Sequence, residues 1–168
     1  MDRRASMTQP QKKPGSRERV RAFLEAHGLA EGLTEFEQST KTAAAAAEAM
    51  GCELGQIVKS LVVVADGTPV LALVAGDRRG DFDAICGEVG ATAAKMADAD
   101  TVRAVTGYAI GGVSPFDLPE ELTVLIDDSL TRFETVYPAA GTPSSMVRMR
   151  YADLARVAGG RVACISHA

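Results

Sequence analysis

The chain contains no tryptophan and only two histidines, His27 and His167, both near the ends of the region that reads as folded. So few imidazoles exclude a histidine-rich metal site, and a Ser-His-Asp or Cys-His relay would depend on one of two peripheral residues. Any catalysis must therefore run on lysine, carboxylates, hydroxyls, backbone amides or the substrate itself. Cysteine is scarce as well: Cys52, Cys86 and Cys164 form an odd set without a C-x-x-C pair. That argues against a disulfide framework or a cysteine-built zinc site and points to a reducing, cytoplasmic setting. The small or apolar neighbours of all three read as those of core-lining thiols. No apolar run approaches the roughly 18 residues of a membrane span, and no apolar segment follows the charged N-terminus as in a secretory signal. Missing too are G-x-G-x-x-G, Walker and G-x-S-x-G strings, so nothing supports a dinucleotide site, a P-loop or a nucleophile elbow.

What is present is an ordinary single-domain length of 168 residues, 46% hydrophobic and 24% charged, with mean hydropathy near zero. This is the composition of a soluble globular domain. Its charge is uneven. Residues 1–21 carry seven Lys or Arg against two acids, whereas the remaining 147 carry eleven basic and twenty acidic side chains. So acidic a body lacks the basic face of a duplex-DNA or general RNA binder, although a local contact with a nucleic-acid end is compatible with it. Residues 1–15, with proline, glutamine and lysine but no periodicity, read as a disordered basic tail, with a second possible start at Met7. A single folded domain is expected over 16–168.

Helices are expected near 17–27 behind a Ser16 cap, at 42–50 behind Thr40 and before Gly51, and from Asp81 to Gly90. Two more are expected from Asp98 or Asp100 to Gly107 and over 151–158. Between them, Ile57–Ala65 and Pro69–Ala75 are β-branched runs joined by Asp66-Gly67, a strong hairpin signal. Further strands are expected over 33–38, 122–126, 133–137, 146–150 and 161–165. The mixture specifies an α+β domain with helices flanking a mixed, mainly antiparallel sheet.

Lys59 fits a purely structural reading least. It interrupts the apolar run 57–64 and shares a face with Ile57, Leu61 and Val63. Either its stem packs while its head snorkels to solvent, or it serves a pocket. The glycine-rich loop Gly111-Gly112-Val113-Ser114-Pro115 is the second candidate. Such a loop lets the backbone approach a ligand and present free N–H groups, or it simply connects a helix to a strand. Asp127 and Asp128 end a strand, where a carboxylate caps the next turn or orients a substrate amine or hydroxyl. The segment Ala139-Ala140-Gly141-Thr142-Pro143 is turn chemistry first and ligand contact second.

The string Gln56-Ile57-Val58-Lys59-Ser60-Leu61, the Asp66-Gly67 hairpin, Thr106-Gly107-Tyr108, Gly111 to Pro115 and Ile126-Asp127 together resemble the YbaK/ProX family. These are aminoacyl-tRNA deacylases related to the editing domain of bacterial prolyl-tRNA synthetases. Thr40–Gly51 and Ala139–Gly141 are similar too, so the resemblance spans roughly 17–166. It implies a curved mixed sheet around a small pocket, no metal and no cofactor. It also implies hydrolysis of the ester that joins a wrong amino acid to the tRNA 3′ end. Lys59 matches the family's essential lysine and Gly111–Pro115 its GxxxP loop. The implied catalytic set is Lys59, Gly111 and Gly112, with Ser60, Val113, Ser114, Pro115, Asp127, Ala140 and Gly141 around the substrate. Arg78 and Arg79 are candidate tRNA phosphate contacts. The implied partners are a mischarged tRNA acceptor end and an aminoacyl-tRNA synthetase, with no DNA and no membrane. Alanine, serine, threonine and cysteine are all served within the family; Gly112 and Ser114 hint at a small or hydroxylated substrate. Two other readings stay open beside a stand-alone trans-editing enzyme: an inactive tRNA- or synthetase-binding protein on the same fold, and a small-molecule module.

Overall fold

The computed structural model describes residues 15–37 and 42–168. The tail expected over 1–15 lies, apart from Gly15, outside the described residues, as does the expected cap Thr40. Five α-helices are present among the described residues: α1 Ser16–Ala26, α2 Ala43–Met50, α3 Phe82–Val89, α4 Ala99–Thr106 and α5 Tyr151–Ala158. Side-chain caps set three of their starts. Thr42, Asp81 and Asp98 each accept a hydrogen bond from the amide three residues on, at 3.1, 3.1 and 2.8 Å, which satisfies a donor the helix itself leaves free. The cap of α2 is therefore Thr42. Helix α1 begins one residue earlier than expected, with Ser16 inside it and Gly15 at the cap position.

The strands are β1 Leu33–Glu35, β2 Ile57–Ala65, β3 Thr68–Ala75, β4 Arg79–Gly80, β5 Ala94–Met96, β6 Thr123–Asp127, β7 Thr135–Pro138, β8 Ser145–Val147, β9 Met149–Arg150, β10 Arg161–Ala163 and β11 Ser166–His167. Seven of them form one mixed sheet in the order β10-β6-β3-β2-β7-β9, with β5 also on β2. The hairpin β2–β3 and the ladders β2–β5 and β7–β9 are antiparallel. The β2–β7, β3–β6 and β6–β10 ladders are parallel. Small antiparallel pairs, β1–β8 and β4–β11, stand apart from this sheet.

Both faces of the sheet are covered. Leu71 and Leu73 of β3 join Val58, Val62 and Ile126 in a core layer that also takes Val20 and Leu24 of α1. Val70, Ala72 and Val74 face the other way, with Val63, Leu125, Ile165 and Ile85 of α3. Burial on both sides explains the unbroken apolar run of β3.

Two expected strands are each split. The 146–150 run leaves β1 for β7 at Arg148, whose amide donates to Gly32 O at 2.9 Å. The 161–165 run leaves β6 after Ala163 and resumes as β11 against β4. In both places the chain changes pairing partner, which local composition does not signal.

Candidate active site

The site arises because the second edge of β2 is divided. Strand β3 covers the first edge from Val58 to Ala65. On the second, β7 reaches only Ile57 and Val58, and β5 only Val63 to Ala65. Among the described residues, Lys59, Ser60, Leu61 and Val62 have no strand partner on that side. A cavity of about 280 Å³ opens at the interruption, near the small end of ligand pockets, which run from roughly 300 to 1,000 Å³. Ala43 and Ala46 of α2 form one wall, and Met96, Ala97 and Val102 another. The alanine run of α2 keeps that helix close without filling the space.

Lys59 lines this cavity. It lies on the face of β2 that carries Leu61 and Val63 into the second core layer, so its stem is half-buried among apolar neighbours. Its ammonium donates to Arg78 O. Burial pushes its pKa below the ordinary lysine value, the Arg79 charge adds to this, and Asp77 opposes it. A lysine has three donors, so the Arg78 bond leaves two for a ligand. Ser60 also lines the cavity, and its buried hydroxyl has no hydrogen-bond partner.

The loop from Gly107 to Asp117 supplies the opposite wall through Ile110, Gly111 and Val113. Gly112 N donates to Ala109 O at 3.0 Å, closing a turn in which Gly111 has φ +93°; side chains rarely adopt that conformation. Gly112 answers a different need. A Cβ there would stand 2.7 Å from the Thr142 Cα, because this loop and the 139–145 loop pack backbone to backbone. Gly112, Ser114 and Pro115 are buried behind the wall. Ala140 and Gly141 are buried behind Ala139, which does line the cavity.

Arg19 of α1 clamps the ends of the Gly107–Asp117 loop. Its Nε pairs with the Asp117 carboxylate at 3.0 Å and its Nη2 donates to Asp117 O at 2.7 Å. Its Nη1 reaches Thr106 O at 3.5 Å, while the guanidinium lies 4.5 Å over the Tyr108 ring. The Tyr108 hydroxyl donates to Phe116 O at 2.6 Å. Burial, against the opposing Arg19 charge, pushes that phenol up to about 12, so it holds the loop rather than exchanging protons.

Two expected ligand contacts have other employment, and a third stands outside the cavity lining. Asp127 does not line the cavity. It is fully buried, caps the 3-10 turn Asp128–Arg132 and accepts from Ser129 N at 3.2 Å and from Ser129 Oγ. It also accepts from Ile165 N at 2.8 Å and Ser166 Oγ at 2.6 Å. Burial alone would raise its pKa, yet these bonds hold it below the usual carboxylate value. The Arg78 guanidinium is spent on Ser166, with Nε 3.1 Å from Oγ and Nη2 3.4 Å from O. Arg79 is exposed and makes no ion pair among the described residues, but it is not in the cavity lining. Conversely, composition did not mark Met96 and Ile110. They are 48% and 55% exposed at the cavity rim, and an exposed large apolar residue has no signature in a single sequence. Among the described residues no group of His, Cys, Asp and Glu is placed to hold a metal, and no helix is long and apolar enough to cross a membrane.

A family model described as an aminoacyl-tRNA editing domain matches residues 37–157. An uncharacterized Bacillus subtilis protein, YwhH, is 37% identical over 131 residues, which cover 77% of this chain and 83% of that one. EbsC of Enterococcus faecalis, provisionally named a Cys-tRNA(Pro)/Cys-tRNA(Cys) deacylase, is 25% identical over 92% of this chain and 96% of its own. A crystal structure provisionally described as a trans-editing enzyme for prolyl tRNA synthetase superposes with TM-score 0.84 at 36% identity, covering 94% of this chain and all of that one. The similarity to the proline–tRNA ligase of Citrifermentans bemidjiense is confined to 81 residues, 48% of this chain and 14% of the ligase.

Proposed function

From the premise that this chain belongs to the aminoacyl-tRNA editing domain family, we propose that it is a stand-alone deacylase of mischarged tRNA carrying a small amino acid. The observation that carries this reading is that Lys59, Ser60, Gly111 and Val113 line one cavity of about 280 Å³. That volume and its largely aliphatic walls suit an aminoacyl group at the end of an extended 3′ terminus.

In the reaction a water oxygen adds to the ester carbonyl. The resulting oxyanion collapses, the bond to the ribose oxygen breaks, and that oxygen departs with a proton as a hydroxyl. Free amino acid and uncharged tRNA result. The ester is already activated, so positioning and charge stabilisation suffice without a protein nucleophile. Lys59 supplies the fixed cation, through its two uncommitted donors, to the carbonyl or to the terminal phosphate. The Gly111 backbone faces the aminoacyl group, and Gly112 keeps that backbone in place through its contact with Thr142. The vicinal ribose hydroxyl or a bound water relays the proton. The acidic body grips only the acceptor end. Synthetic sites reject smaller or isosteric amino acids by only modest factors, which is why a separate hydrolytic pocket is useful.

The test is release of amino acid from tRNAs charged with alanine, serine, threonine, cysteine and proline, by the native chain and by Lys59→Ala. The expected result is turnover of one or two of these esters, falling about a hundredfold in the variant, as for loss of one oxyanion donor. Binding of charged tRNA without turnover of any ester would replace the enzyme with a tRNA-binding protein on an editing fold.

A further inference from the structure

Lys59 ends a flexible four-carbon stem, yet its ammonium is held at one point, the Arg78 carbonyl. That carbonyl belongs to the turn between β3 and β4, which is pinned at successive residues. Gly76 N donates to Ile57 O at 2.7 Å. The Asp77 carboxylate accepts from Nη2 and Nη1 of Arg132, at 2.7 and 3.0 Å. The Arg78 side chain reaches back to Ser166 in β11. Ser166 is itself buried and donates to the Asp127 carboxylate, which also takes the amide of Ile165. The ladder Ser166↔Gly80 and His167↔Arg79 closes the arrangement. A fully buried carboxylate thus seats the C-terminal strand, the strand seats an arginine, and the arginine's own carbonyl meets the lysine.

We propose that β11 is a strap that positions Lys59, acting through Ser166 and Arg78, with Asp127 as its buried anchor. The proposal rests on the reading of Lys59 as the cation of the site, and it gives Arg78 and Asp127 positioning roles instead of substrate contacts. It also places part of the working site beyond the segment matched by the family model, which ends at residue 157. The strap does not touch the substrate. It restricts where the ammonium stands when the ester arrives, and misplacement of such a group by about an ångström costs on the order of a hundredfold in rate.

Two variants of the full chain test it, Ser166→Ala and Arg78→Gln. Trace acetylation with acetic anhydride, read by peptide mass spectrometry, compares Lys59 with the exposed Lys95 in the same molecule. Release of the strap frees the ammonium, so the Lys59:Lys95 labelling ratio should rise about threefold or more. Turnover of the charged tRNA should fall about tenfold in kcat with little change in KM. Ser166→Thr keeps the hydroxyl and should return the labelling ratio toward the native value. Should Ser166→Ala fail to fold, Arg78→Gln decides, because Arg78 is only half-buried and its guanidinium bonds Ser166 without bonding the Asp127 carboxylate itself. An unchanged ratio in a variant that melts like the native chain overturns the proposal. So does a raised ratio with unchanged kcat. Turnover that survives Lys59→Ala would instead overturn the reading of Lys59, and the labelling ratio would still report on the strap.

Discussion

At the scale of single residues, Asp127 and Lys59 show how differently two charged groups in apolar strands are accommodated. Asp127 accepts four hydrogen bonds and keeps its charge in the interior. Because its folded pKa lies below the unfolded value, it contributes stability above the ordinary carboxyl pKa of about 3.9, and that contribution is lost as pH falls through the folded value. Asp127→Asn should therefore lower the melting temperature at pH 7 by about 10 °C, roughly 3 kcal/mol. The gap between variant and native chain should narrow as thermal scans are taken below about pH 4. A constant gap would show that shape rather than charge matters at this position. Lys59 was legible in the sequence because a lysine amid valines breaks an apolar alternation. Asp127 was legible only as a strand-end carboxylate, and its partners Ile165 and Ser166 lie almost forty residues away, so its network was not.

At the scale of elements, the local signals held where one hydrogen bond decides a boundary. The Asp81 and Asp98 caps and the C-terminal glycines Gly51, Gly90 and Gly107 lie where expected, the glycines at φ between +67° and +80°. The Asp66-Gly67 turn, with φ of +49° and +82°, closes the β2–β3 hairpin. Asp66 does more than turn the chain: its carboxylate takes Thr92 N, Thr92 Oγ1 and Ala93 N at 2.9, 2.9 and 3.0 Å, delivering the chain into β5 and the Met96 wall. Helix α1 likewise acts beyond its own packing, because Arg19 ties both ends of the glycine loop. Arg19→Ala should reduce turnover about tenfold while α1 stays seated through Val20 and Leu24. Limited proteolysis should then cut within 107–117 faster than in the native chain. Native cleavage rates together with native turnover would show the clamp to be dispensable. This link was invisible in sequence, since Arg19 and Asp117 are far apart in the chain and neither belongs to a motif.

At the scale of the whole molecule, alternation and turn chemistry were enough to read an α+β domain, because the two longest strands, β2 and β3, meet at a strong turn signal and the helices between strands carry their own caps. They were not enough where a strand changes partner, at Arg148 and after Ala163, since pairing is a property of the sheet and not of a segment. The cavity is legible only at this scale. It exists because two strands, β7 and β5, divide one edge of β2. That division has a consequence for exchange with solvent. Gly76 N bonds Ile57 O, and Ala97 N bonds Val62 O, so odd residues of β2 turn their backbone groups toward β3 and even residues toward the divided edge. Ser60 is the even residue that falls between β7 and β5. Its amide should exchange with deuterium far faster than those of Lys59 and Leu61 on either side, a quick site inside a slow strand. A ligand seated in the cavity should slow that one amide while leaving its neighbours unchanged, making the interrupted edge its own reporter of occupancy.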